Sequence, residues 1–186
     1  MSSCKQPWGP NTPWVTSVQF FTYLRGCLRS SWSRNPIKHN LLKKKRKQIP
    51  NPNKNAKKPT VWGADCSMCG GEFVIKDIQV DHINPAGSLQ KTEDIQGFIE
   101  RLLYVTEDDL RLVCKGCNSA LAYGDKHGVS YELACIEKIA IDMVKKKLDI
   151  AWLKVHNISP ASSAPKRRAQ IREILMEELN AKENLQ

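Results

Sequence analysis

The sequence predicts an α+β fold with a small centre closed by structural zinc and helical extensions on both sides. Three observations carry this. Cys66-Ser67-Met68-Cys69 and Cys114-Lys115-Gly116-Cys117 form two Cys-x2-Cys pairs, a spacing at which four thiolates close a tetrahedral zinc site. Short runs of strand character lie just inside the pairs, at residues 74–83 and 110–113. Apolar residues recur at helical spacing before and after this centre.

The N-terminal third is irregular at first, with Pro7, Gly9, Pro10 and Pro13. Thr16 or Ser17 is placed to cap a short helix in which Val18, Phe21, Leu24 and Leu28 share a face beside Arg25 and Arg29. Residues 43–58 are basic and poor in apolar side chains, and are expected to order only against a partner. The division predicted is a basic arm with a flexible linker over residues 1–60, a zinc-stapled core over 61–128 and a helical region over 129–186.

Within the core, residues 84–92 read as a loop. Ile95, Phe98, Ile99 and Leu102 predict a helix over 94–103. Leu133, Ile136, Ala140, Met143 and Val144 line one face of a helix over 131–148, with Lys145, Lys146 and Lys147 at the end that the helix dipole favours. Residues 160–165 read as a linker. Residues 166–179 form a last helix with Ile171, Ile174, Leu175 and Leu179 inward. Its basic start, Lys166, Arg167 and Arg168, opposes the dipole, which suggests charges that serve an external partner.

The net charge is +10, and all of the excess lies in the first third. Residues 1–60 hold 13 Lys/Arg and no Asp or Glu, while residues 61–186 hold 16 Lys/Arg against 19 Asp/Glu. Such a segment suits a polyanion. Arg25, Arg29, Arg34, Lys43, Lys44, Lys45, Arg46 and Lys47 are the expected phosphate contacts. No apolar stretch is long enough to span a membrane. No apolar export segment follows the first residues, Lys5 being the only charge before Trp8. The expected compartment is the reducing cytoplasm, where paired cysteines read as metal ligands rather than disulfides. Cys4, Cys27 and Cys135 are left as small apolar residues or free thiols.

Between the pairs stands Val80-Asp81-His82-Ile83-Asn84-Pro85. Phosphodiester hydrolysis needs a base to activate water and a divalent metal to stabilise charge on the phosphate. His82 has the titration range of a base. Asp81 offers a hard oxygen suited to Mg²⁺. Asn118, directly after the last cysteine, can offer its amide oxygen to the same ion. Neighbouring strand residues face opposite ways, so Asp81 and His82 converge only if the strand ends there; Pro85 is consistent with such an end. His39, His127 and His156 lack this context. Four cysteines complete the zinc shell, so that zinc should be structural and closed.

At Asp81-His82-Ile83-x-Pro85 and Asp109-Leu110-x2-Val113-Cys114-x2-Cys117-Asn118 the chain resembles the HNH endonuclease family over about residues 61–125. The helix at 94–103 resembles one that bacteriophage members carry, and the arm around Leu24 to Trp32 is more weakly similar to theirs. The resemblance implies a ββα-metal nuclease core acting on double-stranded DNA, as a free-standing or homing-type enzyme in the cytoplasm of a host cell. It implies His82 as general base, Asp81 and Asn118 as ligands of a catalytic divalent metal, and Asp109 as the residue bracing the base-bearing loop. Two departures stand out: Asp109 occupies a usual Asn position, and Leu121 stands where a basic residue is common. Lys115 or Lys126 is then the candidate for that phosphate contact. A non-catalytic zinc-ribbon module that binds nucleic acid is the alternative reading.

Overall fold

The computed structural model describes residues 6–183, with side chains to residue 181; Cys4 and Lys5 lie outside the described residues. The chain divides into two units, Met1–Cys114 and Lys115–Gln186.

The first unit begins with α1 (Ser17–Ser33) and α2 (Pro36–Lys45). Thr16 starts α1 with a capping box: its side chain accepts from the Gln19 amide, and Gln19 Oε1 accepts from the Thr16 amide at 3.2 Å. Asn35 caps α2, Pro36 occupies the first turn, and Lys43, Lys44 and Lys45 stand at the C-terminal end. Each placement favours a helix physically: the cap satisfies an orphan amide, proline lacks one, and the cations complement the dipole.

A three-stranded antiparallel sheet follows: β1 (Lys47–Pro50), β2 (Thr60–Asp65) and β3 (Glu72–Val74), in the order β1-β2-β3. Residues 43–58, expected to order only on a partner, thus form the end of α2, strand β1 and its turn. Two features explain the order. Ile49 is buried, and Asn51 and Asn53 each accept the amide two residues on, closing turns. Gly63 permits the close approach, because a Cβ there would stand 2.6 Å from the Phe73 carbonyl oxygen.

β4 (Ile78–His82) and β5 (Leu110–Cys114) form a separate antiparallel pair with Asp81 opposite Arg111 and His82 opposite Leu110. Between them lies α3 (Asp94–Leu103), over the residues its periodicity predicts. Phe98 and Leu102 on α3 pack with Ile78, Val80, Leu110 and Leu112 from the strands and with Phe21, Trp32 and Leu41 from the first two helices. Burial of these side chains contributes roughly 1.5–3 kcal/mol each. One apolar core thus joins the N-terminal helices to the strands that carry Asp81 and His82.

The second unit is helical: α4 (Lys115–His127), α5 (Tyr131–Lys145), α6 (Asp149–Val155) and α7 (Ala164–Glu183). Ala140, Leu153 and Ile171 form its centre, with Met143, Val144, Trp152, Ile174 and Leu175 packed against them. At the basic start of α7, Arg167 and Arg168 turn toward acids of the same unit, while Lys166 is exposed. Arg167 bonds the buried Asp149 carboxylate at 2.6 Å. Arg168 and Arg172 both bond the buried Glu137, at 2.6 and 3.2 Å. Buried acids require such partners, and this outweighs the unfavourable dipole position.

Candidate metal centre and base

The sulfurs of Cys66, Cys69, Cys114 and Cys117 all lie within 4.8 Å of one another. A zinc tetrahedron with bonds of about 2.3 Å has S···S edges of about 3.8 Å, so the cluster fits that ion. Local structure builds the first half. Gly70 takes a left-handed conformation (φ 69°), and its amide donates to the Cys66 carbonyl at 2.9 Å while the Cys66 amide donates to Gly71. The Ser67 amide donates to the Leu112 carbonyl at 2.8 Å, tying this knuckle to β5. The Cys114 amide donates to Cys66 Sγ at 3.2 Å. Burial pushes the Cys66 thiol up, but the amides of Cys114, Cys69 and Met68 outweigh it and bring it down to about 6. A thiolate is the form that binds metal. At the second pair, Tyr131 Oη donates to Cys117 Sγ at 3.0 Å. The four cysteines are positioned to hold a metal ion such as structural zinc.

His82 ends β4, and the ladder is prolonged by one bond from the Ile83 amide to the Asp109 carbonyl at 2.9 Å. His82 is half-buried. Its ring stacks obliquely on Trp32, with centroids 4.2 Å apart. Nε2 lies 3.1 Å from the Leu102 carbonyl oxygen. A carbonyl only accepts, so Nε2 carries the proton and Nδ1 holds the lone pair of the neutral ring. Burial, the largest influence, lowers the His82 pKa below the usual imidazole value and Arg29 adds to this, while the Leu102 carbonyl and the charges of Asp81 and Asp109 work the other way. Burial thus favours the neutral form of an oriented ring.

Asp81 faces different neighbours. Its Oδ2 accepts from Arg111 Nε at 3.0 Å and Nη2 at 2.9 Å. His82 instead lines a cleft of about 220 Å³ with Asn84, Arg101, Tyr104 and Asp109. Asp109 closes the turn before β5: its Oδ2 accepts from both the amide and the hydroxyl of Thr106, at 2.7 and 2.8 Å. These bonds, the amide's first, hold its carboxyl below the usual aspartate value. Asp109 thus meets the strand end that carries His82 through its backbone carbonyl, while its side chain closes its own turn at Thr106. Asn118 lies in the first turn of α4, one residue after Cys117.

Of the expected phosphate contacts, Arg25, Arg29 and Arg34 are exposed along and after α1. The basic run is partly engaged within the chain. Lys44 bonds Glu107 at 2.7 Å, Lys47 bonds Asp65 at 2.9 Å, and the Arg46 guanidinium lies 4.2 Å from the Trp62 ring centroid. Lys43 and Lys45 are exposed beside them. Residues that pattern reading passed over are Arg111 and Tyr104, together with the seat that Trp32 gives the His82 ring. Arg111 was detectable only from strand register, because it meets Asp81 across the ladder.

No family model matches the chain, and neither curated proteins nor solved structures show a match. Among the described residues no helix is long and apolar enough to cross a membrane.

Proposed function

We propose that the protein is a metal-dependent endonuclease of HNH type that hydrolyses phosphodiester bonds in double-stranded DNA. The observation that carries this reading is His82. Its Nε2 is committed to the Leu102 carbonyl, its ring is seated on Trp32, and it lines a cleft with Asp109. A base needs that kind of fixed tautomer and orientation. The motif Asp81-His82 followed by Cys114-x2-Cys117-Asn118 supports the same reading. His82 accepts a proton from the attacking water through Nδ1. Asp109 holds the strand end in place. Asp81 and Asn118 would hold the divalent ion, Mg²⁺ in this proposal, which supplies charge stabilisation at the phosphate. The exposed arginines and lysines of the first 47 residues supply affinity for the DNA backbone.

One observation favours the second reading, a non-catalytic zinc module that binds nucleic acid. Asp81 is already paired with Arg111, and a structural pair needs no cation. Supercoiled plasmid incubated with the protein and Mg²⁺ or Mn²⁺ separates the two. The enzyme converts plasmid to nicked or linear form, and His82→Ala reduces this at least a hundredfold, in line with general-base contributions of about 10²–10⁴. Retarded but uncut plasmid under every metal and sequence tried leaves only the binding module.

A further inference from the structure

The cleft beside His82 has a wall that the proposed proton transfer does not use. Arg101 and Tyr104 stand one helical turn apart at the C-terminal end of α3 and line that cleft with His82. Arg101 is seated rather than loose. Its Nε–H donates to the Ala86 carbonyl at 3.2 Å. Gly87 and Gly97 leave it room: a Cβ on Gly97 would stand 3.0 Å from Nη1, and one on Gly87 would stand 3.4 Å from Nη2. Among the described residues no carboxylate closes an ion pair with it. Arg111, Arg167, Arg168 and Arg172 all have such partners.

Tyr104 is 88% exposed, the highest value for a large hydrophobic side chain among the described residues. Its backbone is nevertheless fixed, since its amide donates to the Glu100 carbonyl at 3.1 Å and ends α3. A rigid aromatic ring is thus displayed to solvent at the rim of a cleft that contains an anchored guanidinium.

We infer that this wall grips one unstacked nucleotide, its phosphate on Arg101 and its base on Tyr104. The inference rests on the endonuclease reading of the same cleft and adds the state of the substrate. A guanidinium fork matches phosphate oxygens, and an aromatic face stacks on a base of any identity. In an intact duplex each base face is already covered by its neighbours, so only a nucleotide outside the stack can use Tyr104. Glu100 and Asp109 also line the cleft and repel a phosphate. Their carboxylates are engaged by Gln96 Nε2 and by Thr106, which leaves the Arg101 side as the anion's place.

The test measures binding, so it does not depend on cleavage. Fluorescein-labelled duplexes, one fully paired and one with a single unpaired nucleotide, are titrated with the zinc-loaded full-length protein without added Mg²⁺, reading anisotropy. The unpaired site binds about tenfold more tightly. Tyr104→Ala removes that preference, and Tyr104→Trp keeps it. Arg101→Gln weakens binding of the unpaired site about tenfold, Arg101→Lys restores part of it, and Glu100→Gln tightens it. With cleavage as readout, the Tyr104 and Arg101 losses fall on KM more than on kcat. A side chain as exposed as Tyr104 can be replaced without unfolding the chain, which circular dichroism verifies. Wild-type discrimination that survives both Tyr104→Ala and Arg101→Gln overturns the inference. So does cleavage by both variants with unchanged KM, and in that case the endonuclease reading stands. A protein that shows these binding preferences but never cleaves keeps the nucleotide grip and loses the endonuclease reading.

Discussion

Arg111 places two donors, Nε and Nη2, on the same oxygen of Asp81, at 3.0 and 2.9 Å across the β4–β5 ladder. The second oxygen, Oδ1, stays outside that ion pair. Asp81 is thus held in place by a cation on one oxygen only. The pair is mostly shielded, with both side chains 22% exposed. Arg111→Gln is expected to cost about 1 kcal/mol of stability, as cross-strand ion pairs do. Under the proposed function the same change removes a competing positive charge, and Mn²⁺ titrated by calorimetry should bind several-fold more tightly. Weaker Mn²⁺ binding would show that Arg111 supports the metal position instead.

Removing a metal held by the four cysteines should unfold the first unit. Structural zinc contributes apparent binding energies of about 10–16 kcal/mol in small zinc peptides, more than the whole stability of many domains. Purified protein should carry one zinc per chain by elemental analysis. A strong chelator, or Cys66→Ser, should abolish the cooperative melting transition. An unchanged transition after verified zinc removal would mean that the apolar core suffices.

Asp109 tests whether charge or hydrogen-bond acceptance matters at that position. One oxygen accepts both Thr106 bonds, and an asparagine oxygen can do the same. Asp109→Asn should therefore keep stability within about 0.5 kcal/mol, whereas Asp109→Ala loses a cap and costs about 1 kcal/mol. Under the proposed function, plasmid cleavage follows the same order. Chemical denaturation of the three proteins reads the stability difference directly.

In the second unit, pH should act through Glu137. Burial pushes its carboxyl up, but the Arg168 and Arg172 guanidiniums outweigh burial and hold it below the usual glutamate value. A depressed folded pKa gives stability that is fully present above the unfolded value, about 4.3, and is lost as pH falls through the lower folded value. Glu137→Gln should cost about 2 kcal/mol at pH 7. That deficit should shrink below about pH 4, as the wild-type carboxyl takes up a proton. Urea titrations at pH 7, 5 and 3.5 measure it. A deficit that stays constant across that range would assign the loss to packing.

Under the proposed function, lysines within the basic run should not contribute equally to DNA binding. Lys44 and Lys47 already have acidic partners, whereas Lys43 and Lys45 are simply exposed. Each phosphate contact adds about 0.9 to the slope of log affinity against log salt. Lys43→Ala and Lys45→Ala should each flatten that slope by roughly this amount, and Lys44→Ala and Lys47→Ala by less. Equal effects would mean that DNA displaces Glu107 and Asp65 without cost.

What could be read ahead of the structure was whatever is local and periodic. Helix α3 covers the residues predicted for it because its apolar positions leave one solution, and both cysteine pairs converge. Helix α2 and strand β1 were passed over because lysines, an asparagine and prolines mask them, and β2 because Gly63 interrupts its short apolar run. Ile49 is buried in a strand whose partner begins eleven residues later. The internal partners of Arg167 and Arg168 at the start of α7 were missed for the same kind of reason. Asp149 and Glu137 are distant in sequence, and nothing local says that Arg167 and Arg168 answer them. At the candidate site, the residue types and order of Asp81, His82 and Asp109 were legible. The partners that fix them, Arg111, Trp32 and the Leu102 carbonyl, come from register and packing.

The β4–β5 ladder also has a consequence for how the chain is made. It pairs Ile78 with Cys114 and His82 with Leu110, so neither strand has its partner until a long intervening segment has been synthesised. Closing such a loop costs entropy before any ladder bond repays it. The cysteine cluster needs Cys117, later still. During translation, Cys66 and Cys69 therefore wait as a half-site while α3 is produced. Zinc captured early by that half-site would shorten the search for the second, so metal supply during synthesis should govern the yield of folded protein.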